Sequence, residues 1–174
     1  MIADPTRPLS ADEARRNRRI IVAIAVVFVL VSVSVFVWGL TVTRTSREAA
    51  RETDAALRSV AWAVLCYAGQ NGGQFPTSDA QLRAAAASPG PAAGKPWPST
   101  LDAAMGGLEA IPPADALGKV GVTWGSSPEV APDLNTGGRP SSFGTVDAVN
   151  GWLAEYARDR VRAIGNEGTR NPAP

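Results

Sequence analysis

From Ile20 to Thr43 the chain is apolar on every side: 24 residues pass without a charge, most of them valine, isoleucine and alanine. A helix that packs on a soluble core keeps a polar face, and this run has none. At 1.5 Å per residue it would be about 36 Å long, enough to cross a hydrocarbon layer of about 30 Å. Its β-branched residues would favour a strand in water. In lipid a spanning segment has to close its own backbone hydrogen bonds, so a helix is the expected form. Ser32 and Ser34 can bond back to the preceding turn, and Trp38 suits a membrane–water interface. The pattern predicts a transmembrane helix over 19–43.

The period changes in the next stretch, "TRTSREAARETDAALRSVAWAVLCYA". Leu57, Val60, Ala61, Val64 and then Tyr67 or Ala68 recur at helical spacing and share one face. Glu48 with Arg51, and Asp54 with Arg58, stand at pairing distance along a helix. No proline or glycine interrupts Thr41 to Ala68. One continuous helix is therefore expected from about Arg19 to about Ala68, with 44–69 as a membrane-proximal amphipathic half. A water-facing helix of that length is marginal alone, so it needs a surface to lie on.

A sharp corner follows in "GQNGGQFPTSDAQL". Gly69 stands where a C-terminal cap would turn left-handed, and Asn71-Gly72-Gly73 continues the turn. Phe75 supplies a ring to bury, and Pro76 keeps its predecessor out of the helical region. Ser78 and Gln81 form a capping box before a short second helix, whose Leu82 and alanines can pack back.

Beyond the corner the pattern is irregular. Ser88–Ser99 holds four prolines and reads as extended surface, with Trp97 turned inward. Thr100–Met105 reads as a short helix ended by Gly106-Gly107. Val120–Trp124 is the clearest strand, with Val120, Val122 and Trp124 on one face, and Leu117-Gly118-Lys119 could turn a preceding strand into it. Another brief strand is expected near Val130. A final helix is expected from Thr145, its cap, through Val146, Val149, Leu153, Tyr156, Val161 and Ile164, ending at Gly165. The fold class predicted is α+β: a long N-terminal helix with a loop-rich head at 70–165 containing a short antiparallel sheet. Residues 1–18 and 166–174 read as disordered tails.

Charge then sets orientation. Arg15, Arg16, Arg18 and Arg19 crowd the N-terminal flank, whereas Arg44 and Arg47 on the other side are diluted by Glu48. The positive-inside rule puts the N-terminus in the cytoplasm and the head outside the cytoplasmic (inner) membrane. A cleaved signal peptide has a shorter apolar region and a small-residue cleavage site, and "TRTSREAARE" offers none, so an uncleaved anchor is expected. Up to Arg19 the net charge is +2 and beyond it −1, which is no electrostatic footprint for nucleic acid.

Candidate chemistry is sparse. There is no histidine, which removes the commonest general base and metal ligand. Cys66 is the only cysteine, so an intrachain disulfide is impossible; burial is the plainer expectation and an intermolecular bridge the other. Ser126 and Ser127 lack the G-x-S-x-G elbow, and the glycines at 69, 72 and 73 do not lead into a phosphate-binding helix. Asp102, Glu109, Asp115, Glu129 and Asp133 match no calcium loop. Trp62, Trp97, Trp124 and Trp152 read as core or interface anchors. No catalytic, cofactor or metal residues are assigned, and an enzyme is not expected.

The apolar helix prolonged into an amphipathic one, followed by "AVLCYAGQNGGQFPTSDAQLRA", resembles the major pseudopilins of type II secretion and the related type IV pilins. Tyr67, Asn71, Gly72, Phe75, Pro76 and Leu82 carry the resemblance, which covers about residues 20–83. It implies a small antiparallel sheet against the C-terminal half of the long helix. The chain has neither the glycine of the family's cleavage site nor a glutamate inside its apolar run, so what is implied is a pilin-like shape and not processing. The expected function is a single-pass, non-enzymatic structural or interaction protein with lipid and protein partners, or self-association. The alternative is an extracytoplasmic sensor or ligand-binding module, with Trp97, Trp124 and the 125–144 loop lining its site.

Overall fold

A computed structural model describes residues 11–84 and 96–170. The chain divides into two units, one up to Thr45 and one from Ser46 onward. Helix α1 spans Ala11–Gln70. In the first unit its large apolar side chains, from Ile20 to Val42, are all solvent-exposed, and its length and composition suffice to cross a membrane. Ser34 and Thr41 donate their hydroxyls to the carbonyls of Leu30 and Val37, which settles these polar groups within the helix itself.

The helix begins at Ala11, ahead of the expected start near Arg19, so 11–18 is helical and not a disordered tail. Ala-Asp-Glu-Ala-Arg-Arg is made largely of good helix formers, and acids in a first turn suit the helix dipole. Residues 1–10 of that expected tail lie outside the described residues.

In the second unit the predicted stripe is the core. Leu57, Val60, Ala61, Val64 and Ala68 are fully buried, together with Phe75, Leu82, Leu134, Val149 and Leu153 from the rest of the head. Glycine is not the stop at 69; the helix runs through Gln70, and the left-handed residues are Gly72 and Gly73. The amide of Gly73 closes the turn on the Ala68 carbonyl, and Asn71 bonds Tyr67 O through both backbone and side chain.

Helix α2 (Asp79–Ala84) follows, burying Leu82, while Ala80 and Ala84 stay exposed. The Gln81 backbone N–H donates to the Ser78 hydroxyl oxygen, and the Gln81 carboxamide oxygen reaches back one residue further than expected, to accept from the Thr77 N–H. Residues 85–95, most of the proline-rich stretch, lie outside the described residues. Helix α3 (Leu101–Met105) is capped by the Thr100 hydroxyl at one end and by left-handed Gly106 at the other, as its spelling predicts.

Two expectations fail between 113 and 135. Among the described residues no strand precedes Val120; helix α4 (Pro113–Ala116) stands there, opened by a proline at a first-turn position that needs no N–H. The second strand is not at Val130, which is in a turn and exposed, but a few residues later. Strand β1 (Gly121–Thr123) pairs antiparallel with β2 (Asp133–Asn135), Val122 facing Leu134.

Helix α5 (Thr145–Arg170) carries Val149 and Leu153 into the core. Thr145 is its first helical residue and not its cap, and the Gly144 carbonyl accepts the first-turn bond from Ala148. Gly165 does not end it, so 166–170 is helical and not a disordered tail; one interior glycine costs a helix only about 1 kcal/mol. Residues 171–174 lie outside the described residues. Val161, expected on the buried side, is exposed; the Ile164 side chain lies outside the described residues.

A two-stranded sheet leaves an edge, and Asn150 of α5 closes it. Its side-chain oxygen accepts from Leu134 N–H and its amide donates to Leu134 C=O, both at 2.9 Å. One side chain thus replaces a third strand opposite a fully buried residue. Asn150→Ala leaves both backbone groups unpaired, and each such loss costs about 1–3 kcal/mol. We expect the variant's unfolding midpoint in denaturant to fall by about 2–4 kcal/mol in free-energy terms. An unchanged midpoint would mean that water replaces Asn150 without cost.

Candidate functional site

The corner after α1 is built around Phe75. Phe75 is buried edge-on against Tyr156, ring centroids 5.8 Å apart, and Tyr156 meets Trp97 edge-on at 5.0 Å. Burial raises the Tyr156 pKa above its ordinary value, opposed in part by nearby Arg160. Arg160 donates to the Gly73 carbonyl at 2.7 Å. A Cβ on Gly73 would stand 2.5 Å from Arg160 Cδ, and its φ is +83°, so two constraints select glycine there. The Phe75 N–H donates to Pro128 O at 2.7 Å, tying the corner to the loop after β1.

Trp97 is buried in the aromatic cluster, and its indole N–H finds no acceptor among the described residues. Trp124 is half-buried against the core, with its indole N–H donating to Asp79 at 2.8 Å. The 125–144 loop is pinned along its length: Gly125 lies under Val130 so closely that a Cβ would meet the Val130 carbonyl oxygen at 2.3 Å. Farther on, Ser142 N–H donates to the Asp54 carboxylate at 3.0 Å.

Residues with chemical potential stay apart. Asp102, Glu109, Asp115, Glu129 and Asp133 are exposed on separate elements, and among the described residues no three carboxylates or thiols are grouped to hold a metal ion. Ser127 donates to neighbouring Glu129 in a surface turn. Cys66 is buried, and burial pushes its thiol up to about 11. Desolvation raises the pKa of a thiol by disfavouring its charged form, the thiolate that would act as nucleophile.

A groove of ≈ 560 Å³ that sequence reasoning missed lies between α1 and the 107–112 segment. Arg51, Glu52 and Ala55 form one wall, and Leu108, Ile111 and Pro112 contribute to the other. Lys119 pairs with Glu52 beside it. That hydrogen bond and charge lower the Glu52 pKa, with a smaller contribution from Arg139. Ser59, buried on α1, accepts from Ile111 N–H at 3.0 Å and so fixes the far wall. The groove is open, mixed in polarity and suited to a segment of chain rather than to an enclosed small molecule. No sequence signal announces it, because its walls are 50 residues apart and neither carries a motif.

The buried thiol makes a direct test possible. In the native protein, Cys66 should react slowly with maleimide or iodoacetamide at pH 8 and rapidly once denaturant is added. Because its folded pKa lies above the unfolded 9.0, its contribution to stability is complete below pH 9 and is lost as pH rises toward 11. Denaturation midpoints of wild type and Cys66→Ala should therefore converge or cross over that window; parallel pH curves would exclude a buried thiol. Compared with known proteins, the chain matches no family model, no curated protein and no solved structure.

Proposed function

We propose that the chain is a single-pass membrane anchor, N-terminus in the cytoplasm, that presents its head outside the membrane for contact with other proteins. The observation that carries this reading is the contrast between its two units. The first exposes an apolar side chain at nearly every position from Ile20 to Val42, which water tolerates only at high cost. The second encloses its own core and leaves few apolar groups outside. An element that finds no cover within its chain and has the length of a bilayer takes its cover from lipid.

The arginines set the orientation in this reading, four on the N-terminal flank against two on the other. The contact role follows from what the head offers: pinned loops, a buried thiol, dispersed carboxylates and an open groove. The corner through Tyr67, Asn71, Gly72, Phe75, Pro76 and Leu82, which resembles that of pseudopilins, points to an envelope or secretion assembly as its setting.

Two measurements test this. In membrane vesicles of known sidedness, protease added to the extracytoplasmic side should remove the head and leave a protected fragment containing residues 20–43. Solubilised in mild detergent, the full chain should run above its 18.1 kDa mass as an oligomer or with a bound protein. A head digested only from the cytosolic side overturns the orientation. A strict monomer with nothing co-purifying overturns the assembly role.

A further inference from the structure

The chain holds two Asn-Gly pairs, Asn71-Gly72 at the corner and Asn150-Gly151 in α5. An asparagine before glycine carries a latent reaction. The backbone nitrogen of the next residue can attack the side-chain amide carbon, and glycine neither shields that nitrogen nor restricts the backbone around it. The two pairs share a sequence and have opposite surroundings.

In α5 both reacting groups are occupied. The Asn150 carboxamide accepts from Leu134 N–H and donates to Leu134 C=O, each at 2.9 Å. Gly151 lies past the first turn of the helix, so its N–H belongs to the helical ladder.

At the corner the attacking nitrogen is free. The amides of Asn71, Gly73 and Gln74 donate to Tyr67 O, Ala68 O and Asn71 O at 3.0, 2.6 and 3.1 Å. The Gly72 N–H between them has no acceptor among the described residues, and both Asn71 and Gly72 are exposed. Gly72 has a φ of +62° and no atom within 4 Å of where a Cβ would stand, so nothing crowds the approach. The Asn71 side chain is tied through its amide, which donates to Tyr67 O at 2.8 Å. That tie sits in an exposed turn at a helix end, where opening is local and leaves the core folded.

We propose that Asn71-Gly72 is a site of self-modification. The Gly72 nitrogen bonds to the Asn71 side-chain amide carbon; the side-chain nitrogen leaves with the Gly72 proton as ammonia, closing a succinimide. Water then opens the ring at either carbonyl, leaving an aspartate or an isoaspartate at position 71. Loss of ammonia makes the change one-way. Both products weaken the corner. A carboxylate cannot donate to Tyr67 O, and it places negative charge at the C-terminal end of α1, where the helix dipole disfavours it. An isoaspartyl link adds a main-chain atom inside the turn closed by Gly73 N–H on Ala68 O, next to the carbonyl that Arg160 holds.

The test is to hold the full chain in mild detergent at pH 8 and physiological temperature, beside a sample in denaturant. Both are digested at intervals and read by mass spectrometry. In denaturant the two pairs should each gain one mass unit at similar rates. In the folded chain position 71 should convert within a few-fold of its denatured rate, and position 150 many-fold more slowly. Isoaspartate at 71, scored by enzymatic methyl transfer from S-adenosylmethionine, should exceed aspartate. A folded chain in which 71 is as slow as 150, or yields no isoaspartate, overturns the proposal. So does methyl acceptance at the corner that survives Asn71→Gln, whose longer side chain disfavours the ring. Aged wild type should also unfold at lower denaturant than equally aged Asn71→Gln, each measured against its fresh sample; equal shifts overturn the weakening of the corner.

Discussion

Everything in the head depends on one buried stripe of the long helix. Leu57, Val60, Ala61, Val64 and Ala68 are the surface on which three short helices, a two-stranded sheet and α5 are assembled. Elements of three to six residues have no independent stability; a helix this short does not repay its nucleation, and a two-stranded ribbon is marginal alone. The dependence is mutual. The helix needs the head to cover its apolar face, and the head has no other continuous element before α5 begins. Each buried leucine or valine of the stripe contributes about 1.5–3 kcal/mol, so covering it is the main favourable term available to so irregular a chain.

Polar side chains do for this head what a larger sheet would otherwise do. Asp54 takes the Ser142 amide just before α5 starts, placing negative charge where the helix dipole favours it. Arg58 donates to the Ala104 carbonyl at the end of α3 and lies 5.7 Å from the Trp152 ring centroid. Ser59 accepts from Ile111, Asn150 pairs with Leu134, and Arg160 caps the corner at Gly73. Each bond joins a helix side chain to backbone in a distant segment of the head. Buried backbone groups must find partners, and loops this long find few among themselves.

That division explains what could be read from the sequence. Features set by local period were legible: the apolar run, the stripe on α1, the α3 caps, the buried face of α5 and the turn at 71–73. Features set by contact between distant residues were not. Asp54 and Arg58 have the spacing of an ion pair, yet one is taken by a loop 88 residues away and the other by a carbonyl 46 away. The second strand moved from Val130 to Asp133–Asn135 because Asn150, not local propensity, decides which residue forms the paired edge. The groove wall at 107–112 and the pinning of the loop at Ser142 have the same origin, in partners that no window of sequence contains.

The distribution of apolar surface narrows how such a protein can assemble. Among the described residues, seventeen of the twenty-one exposed large apolar side chains lie between Ile20 and Val42. Those on the head are scattered over α3, the turn at Val130, the loop at Phe143 and α5. Obligate subunit interfaces resemble a protein core cut in half, and scattered single side chains do not make one. A head of this kind can contribute polar and groove contacts, which give specificity and modest affinity. On the proposed anchor reading, the surface left for association is the apolar segment itself, where Ala23, Ala25, Ser32, Ser34 and Gly39 are small residues of the kind that let helices approach closely in lipid. On that reading, anchor and assembly element are the same segment.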